Sequence, residues 1–510
     1  MLFLLALSPI LWLIIALSVL KMPGYKACPI ALIIALAVAL LCEDMTLLHA
    51  IMAVIQGLAL ACWPILLVII AAIFTYNLSL YTKGMDTIKR MLTTVSTDRR
   101  ILVLLIGWGF GGFLEGMAGF GTAIAIPASM LAGIGFNPLL SALVCLIANS
   151  VPTAFGSIGI PVVTLGQVSG IDSAILAKYV ALQLAPISLL CPFLMVIATG
   201  GSVKALKGVF LITLAAGIGF VVPELIVASL MGAELAVIAG SIGSMATIVI
   251  GAKLIKNPDP QYQIDIKEEK NAAPITTERA LIAWLPFILI FIFLLFTSKL
   301  IPAIHDPLNL IKTSVLIYSG KGGTPYTFTW VATPGILILL AAFIGGRVQK
   351  ASFGEMFSVL GKTVIGLYTT IITIISVIAT AEVMGFSGMT TEIANTAVAV
   401  AGTAYPAIAP FIGSIGTFIT GSATSSSVLF GKLQADSALA IHANQVWITA
   451  ANPTGACAGK MISPQSIAIA VAATGLAGRD GELLKAAVKY YIPFIILMGC
   501  IVYFGQMFVS

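Results

Sequence analysis

Long apolar runs separated by short polar loops make up most of this chain. Runs lie near residues 2–20, 27–42, 50–80, 208–229, 232–252, 281–301, 330–346, 363–385 and 488–507. A helix that crosses a bilayer needs about 20 apolar residues, and these runs are of that order. Three loops are clearly polar. Thr82–Arg100 carries Lys83, Lys89, Arg90, Arg99 and Arg100 against two aspartates. The stretch 253–279 carries five basic and five acidic residues, and 477–489 carries Arg479, Lys485 and Lys489. An excess of Lys and Arg marks cytoplasmic loops, so all three are placed inside, with Lys204, Lys207, Arg347 and Lys350.

Counting crossings tests this placement. The first run enters from outside, and Lys21 and Lys26 follow it inside. The run 27–42 exits and 50–80 returns. The last run exits, so both termini are expected outside. For the parity to close, residues 101–203 must begin and end inside, while 386–479 begin outside and end inside. Each region then needs one element that enters and leaves on the same side. Two stretches of weak helix character fit that element.

The first stretch is "GGFLEGMAGFGTAIAIP", residues 111–127, with five glycines and Glu115. Its core "FLEGMAGFGT" (113–122) matches "FITGSATSSS" (418–427) at an offset of 305: Phe113 with Phe418, Gly116 with Gly421, Ala118 with Ala423. Further on, "ANSVPTAFGSIGIP" (148–161) matches "ANPTGACAGKMISP" (451–464) at an offset of 303: Asn149 with Asn452, Gly156 with Gly459, Pro161 with Pro464. Two matches in the same order predict an internal repeat, and the crossing count makes its copies face opposite ways. Inverted repeats with a site at mid-membrane are typical of secondary transporters.

The expected architecture is an all-α polytopic membrane protein, with about 12 transmembrane helices plus two re-entrant hairpins. It holds two inverted repeats with broken helices. Residues 1–26 form an N-terminal helix. Residues 27–203 form repeat A, with its re-entrant hairpin near 101–135 and a broken helix near 137–168. Residues 204–329 are linking scaffold helices and loops, and 330–510 form inverted repeat B, with its hairpin near 395–433 and a broken helix near 437–475. The N-terminal helix and the linking segments are left as scaffold or as oligomer surface. Non-helical backbone at membrane depth survives only where protein or a water-filled cavity satisfies it, so the hairpin tips and breaks mark the expected cavity.

Composition agrees. Of 510 residues, 59% are apolar and 9% charged, with a mean hydropathy of +1.10. A soluble domain carries about a quarter charged residues. The net charge of +6 sits in short loops, and no basic stripe with interleaved aromatics points to nucleic acid. The first run lacks a basic leader and a small-residue cleavage pattern, so it reads as a retained helix. Seven scattered cysteines without a CxxC read as small packing residues. "GKT" at 361–363 lacks the first P-loop glycine, since Met356 stands there, and no H-E-x-x-H occurs. No metal, cofactor or catalytic constellation is expected, so the energy source is an ion gradient or the substrate gradient.

Few residues inside the apolar stretches carry chemistry. Glu115 is the only charged residue between Ile101 and Ile171. An ionisable group within a membrane segment is costly and faces a cavity or a partner; this carboxylate is the proton-coupling candidate, against a structural role held by hairpin N–H groups. Lys460 is the only Lys, Arg, Asp or Glu between Ser437 and Gly478. It fits an anion's counter-charge or a partner for Glu115, against snorkelling to an interface. The tip "TGSATSSS" carries hydroxyls at six of eight positions: Thr420, Ser422, Thr424, Ser425, Ser426 and Ser427. With exposed N–H groups at a helix start they make an anion site, or else serve tight helix packing. Gly119, Gly121 and Thr122 would let backbone approach a ligand, and Asn149 and Asn452 would bridge broken-helix backbone to it. His49, His305 and His442 lie at segment ends, which disfavours a histidine relay. Glu224 and Glu234 flank a short turn and read as interfacial; Glu382, near a helix end, is a weaker candidate.

At "FLEGMAGFGTAIAIP", "LIANSVPTAFGSIGIP", "TGSATSSSVLFGKLQ" and "GKMISPQSIAIA" the chain resembles the lactate permease family, which includes bacterial L-lactate and glycolate permeases. The resemblance covers most of the chain. It implies proton-coupled symport of small 2-hydroxymonocarboxylates, lactate and glycolate, across the bacterial inner membrane. It also implies Glu115, Gly116, Gly119, Asn149, Gly421, Ser422, Thr424, Asn452, Lys460 and Gln465 as site residues. Many family members carry Asp or Asn where this chain has Ala423; if an acidic residue there helps proton coupling, Glu115 carries more of it here, or the coupling differs. The residues themselves leave a sodium-coupled carboxylate transporter open, since hydroxyls and carbonyls of the 420–427 tip could hold sodium.

Overall fold

The computed structural model describes residues 2–20, 22–43, 45–119, 121–254, 259–264, 275–298, 300–476 and 479–509. Lys21, Phe120 of the first tip, much of the 253–279 loop and residues 477–478 of the last polar loop lie outside these residues.

Helices are the only way for a single apolar segment to satisfy its own backbone in lipid, and the chain is accordingly almost all helix. Among the described residues ten helices are long and apolar enough to cross a membrane, or twelve if each of two bent pairs is one span. The bent pairs are Pro138–Asn149 with Pro152–Ser169, at 58°, and Gln445–Ile462 with Pro464–Thr474, at 45°. Both have local causes. In the first, Ser157, Ile158 and Gly159 adopt positive φ of 48°, 60° and 74° in succession. In the second, Pro464 forces Ser463 into extended backbone (φ −63°, ψ 137°), and the Ser463 hydroxyl then caps the new helix by accepting from Ser466 N–H at 3.2 Å.

Several boundaries differ from the hydropathy reading. The run 2–20 is a helix only to Ile14, followed by a wider π-helical turn, Ile15–Val19. The run 330–346 is the 15-residue helix Pro334–Val348. The second hairpin begins at Tyr405, after a separate helix Met389–Ala401 and a break at Gly402–Ala404. The polar stretch 82–100 contains an amphipathic helix, Gly84–Thr93, that buries Met85, Ile88 and Leu92. A β-hairpin, Lys312–Val315 paired with Tyr326–Thr329, lies where only loops and helices were expected.

The two ends of the bundle separate the polar loops. Arg100, fully buried, holds Asp98 through its Nε (3.1 Å) and Nη2 (2.7 Å) and donates to the Ala205 and Lys207 carbonyls at 2.9 and 3.0 Å. Its guanidinium also stacks 3.9 Å from the Tyr262 ring. Thr82 donates to the Gln349 side chain at 2.6 Å, which itself donates to the Ile282 carbonyl at 2.9 Å. Loops containing four of the basic clusters therefore meet. In the N-terminal half of helix Leu47–Tyr81, Gln56 accepts from Tyr318 N–H and donates to Glu382, and Trp63 bonds the Thr329 carbonyl.

Candidate functional site

Two helical hairpins border one cavity, the second with its tip and the first with Glu115 of the helix that leads to its tip. In the first, Arg99–Met117 ends before Ala118 and Thr122–Gly133 folds back, so that a Cβ on Gly111 would meet the Ala123 carbonyl at 3.5 Å. The turn uses Gly119 and Gly121 at positive φ, 60° and 86°. In the second, Tyr405–Thr420 turns at Gly421 (φ 70°) into Ala423–Ala440. Ser426 Oγ bonds the Gly413 carbonyl and Gln434 bonds the Ala409 carbonyl, at 2.8 and 2.9 Å, zipping that hairpin together.

The glycines of the first hairpin mostly serve packing. A Cβ on Gly109 would lie 2.6 Å from Met245, on Gly112 2.7 Å from Ser241, and on Gly116 2.9 Å from Ile238. They form a seam along which helix Ala236–Leu254 comes close. Gly116 therefore faces that helix, not a ligand.

The cavity has a volume of about 480 Å³. Of the expected site residues, Glu115, Thr420, Gly421, Ser422, Thr424, Ser425, Lys460 and Gln465 line it. Gly116, Gly119, Gly121, Thr122, Asn149, Ser426 and Asn452 do not. Most have another occupation. Gly119 makes room for Ser157, Gly121 faces Ile469, and Thr122 bonds the Gly119 carbonyl at 2.7 Å. Asn149 sits behind the lining, donating to Thr153 at 3.3 Å. Asn452 is fully buried, and its side-chain amide meets no partner among the described residues.

Lys460 is 7% exposed and donates to the Gly421 carbonyl at 2.7 Å, so its ammonium is held at the second tip. An ammonium has three donors, and this bond uses one. Glu115 is 4% exposed, and its Oε2 has no hydrogen-bond partner among the described residues. Its Oε1 lies against Gly156, where a Cβ would come within 2.6 Å. Neither group forms an ion pair within 4.0 Å among the described residues, so the direct Glu115–Lys460 pairing left open by the sequence is not formed. The two charges face one cavity across its polar wall.

The tip beside Lys460 is the N-terminus of helix Ala423–Ala440. Ser422 caps it, accepting from Ser425 N–H at 3.2 Å. The first N–H groups of a helix have no intrahelical acceptor and carry the positive end of its dipole. Backbone donors, the Thr424 and Ser425 hydroxyls and one ammonium thus converge on the cavity, a donor set suited to a carboxylate.

Sequence reasoning missed the opposite wall. Tyr25, Thr369, Thr370 and Thr373 line it, with Thr153 and Ser157 near the first tip. A threonine pair followed by a third three residues on, inside an apolar helix, was the available signal; nothing local ties that helix to the tips.

The family described as L-lactate permease matches residues 2–509. The chain belongs to that family. It is 45% identical to an L-lactate permease of Streptococcus iniae over 89% of this chain and 94% of that one. It is 34% identical to the glycolate permease GlcA of Escherichia coli K12, over 98% and 94%. It is also 34% identical to an L-lactate permease of Bacillus subtilis 168, over 98% and 95%. Among solved structures, that of MtrF of Neisseria gonorrhoeae aligns at 12% identity with a TM-score of 0.48, covering 88% of this chain and 82% of that one. As a lactate-permease family member the chain is a polytopic membrane transporter.

Proposed function

We propose that this chain imports L-lactate and related small 2-hydroxymonocarboxylates such as glycolate, coupled to protons, by alternating access across the bacterial inner membrane. The observation that carries the reading is the cavity itself: Lys460, the second-tip hydroxyls and a helix N-terminus on one side, Glu115 on another. The substrate carboxylate sits at the tip N–H groups and Lys460. Its 2-hydroxyl meets Ser, Thr or Gln465 side chains. Glu115 takes a proton from outside and gives it up inside. A lactate anion is far smaller than about 480 Å³, so selectivity rests on the donor pattern and on water brought along, not on a tight fit.

The names of the relatives favour this substrate class: permeases for L-lactate and for glycolate. Alternating access is supported by a correspondence between the two halves. Ser157 donates to the Ala118 carbonyl at 2.8 Å, and Lys460 donates to the Gly421 carbonyl at 2.7 Å. Both partners are displaced by the same 303 positions, 157 to 460 and 118 to 421. Residues 27–203 and 330–510 are then inverted units in which each broken helix holds its own tip. In this register Glu115 corresponds to Phe418, not to Thr420. Both termini lie outside, and no catalytic chemistry is assigned.

Uptake of labelled L-lactate into proteoliposomes under an imposed pH gradient tests the proposal. Gradient-stimulated uptake is expected, competed by glycolate more strongly than by citrate. Glu115→Gln is expected to lose the stimulation; a variant that keeps it removes Glu115 from coupling. Uptake that follows a sodium gradient, and not a pH gradient, would establish the sodium-coupled alternative.

A further inference from the structure

Glu224 does not behave as an interfacial residue. It is fully buried within helix Phe210–Leu230, and neither carboxyl oxygen has a hydrogen-bond partner among the described residues. It is the only ionisable side chain of that helix. An ionised carboxylate with no donor and no cation, inside an apolar bundle, is strongly disfavoured. The group must therefore carry a proton in this state.

Its position relates it to the cavity. Glu224 Cβ lies 3.2 Å from where a Cβ on Gly240 would be, while Gly116, next to Glu115, packs on Val237 and Ile238 from the opposite side. The stretch 237–240 is thus a neighbour shared by the two carboxyl-bearing helices, which also touch directly where a Cβ on Gly112 would lie 3.4 Å from Phe220. Pro223 precedes Glu224 and packs on Gly243; a proline interrupts the helical hydrogen bonding at that turn. Ser241, beside Gly240, also has an unpartnered buried hydroxyl.

We propose that Glu224 is a proton-binding site of the transport cycle, separate from the substrate cavity, which it does not line. The inference rests on the proton-coupled reading above. The carboxylate gains one proton as O–H when its surroundings dry and returns it to water when they open. Of the other charges nearby in the chain, Lys253 is at the far end of helix Ala236–Leu254, where Gly251 packs on Ile212, Lys178 is exposed on Ser173–Gly200, and Glu234 lies in the turn before Ala236.

The test compares the parent with Glu224→Gln and Glu224→Asp in proteoliposomes, measuring two readouts: pH-gradient-driven accumulation of labelled L-lactate, and lactate counterflow without a gradient. Glu224→Gln is expected to lose driven accumulation while counterflow persists; Glu224→Asp, still titratable, is expected to regain accumulation. A buried acid with only a packing role would let the isosteric Gln accumulate like the parent, and that result overturns the inference while leaving proton coupling intact. A parent that shows no pH-driven accumulation overturns both. If Glu224→Gln does not reach the membrane, the parent itself decides through modification by a hydrophobic carbodiimide, mapped by mass spectrometry. Labelling of Glu224 that falls as pH rises supports the site. Labelling that ignores pH, or is absent, overturns it.

Discussion

Lys460 and Gly421 act as one unit at the residue scale. The ammonium is tied to the tip by a single bond to a carbonyl that only the turn at Gly421 presents. On the proposed binding mode, Lys460→Met removes a charge-assisted donor to the substrate, a loss of about 1.5–3 kcal/mol. The half-saturation concentration for L-lactate uptake is therefore expected to rise about 10- to 100-fold. Kinetics in proteoliposomes, with the variant's membrane level matched to the parent, checks this. Gly421→Ala fails differently. Its φ of 70° is unfavourable for a side chain, and the added Cβ lies 2.8 Å from Gln465 Cβ. Uptake is expected to be lost even where the variant still inserts. Among single residues, the sequence exposed the charges well, because a lone carboxylate or ammonium in an apolar run is conspicuous. It misjudged Glu224, because an acid near a predicted helix end looks the same whether that end reaches water or is packed inside.

For the elements, the first hairpin and helix Ala236–Leu254 share a seam made by missing side chains. Gly116→Val places new atoms where the first, Cβ, is already 2.9 Å from Ile238. Overpacking of this kind costs about 1–3 kcal/mol, so a lowered midpoint of thermal unfolding in detergent is expected, with transport reduced through misplacement of the Glu115 helix. In the sequence these glycines read as freedom for the backbone to approach a ligand. Tertiary contact turns most of them into freedom for one helix to approach another. Both readings use the absence of a Cβ, and only a neighbour decides between them. The broken helices were legible for a different reason: proline and glycine act through their own backbone, whatever surrounds them.

The whole molecule is divided between two polar ends, and Arg100 holds one of them together. Arg100→Ala leaves Asp98, 1% exposed, without its partner and frees the 205–207 and Tyr262 contacts. A stability loss of about 3–5 kcal/mol is expected, as for one half of any buried ion pair, read from thermal unfolding against the parent. Sidedness offers an independent check of the proposed orientation. With the exposed Cys62 and Cys500 replaced by Ser, Lys321→Cys in the β-hairpin region is expected to react with a membrane-impermeant thiol reagent in intact cells. Ser202→Cys, beside the Arg100 cluster, is expected to react only after permeabilisation. The reverse pattern would invert the topology.

Membrane residence, helical class, the two breaks and the charged residues worth testing were determined by the sequence alone. Each follows from local physics: apolar length, backbone restriction at proline, and the cost of a charge in lipid. The partners were decided by tertiary structure. It separated Lys460 from Glu115 while giving them one cavity, moved Asn149 and Asn452 behind the lining, and added a threonine wall from helix Tyr368–Ser387. It also buried Glu224. Those outcomes depend on which helix packs against which, a long-range choice made by summed side-chain volumes across the bundle and carried by no single stretch of chain.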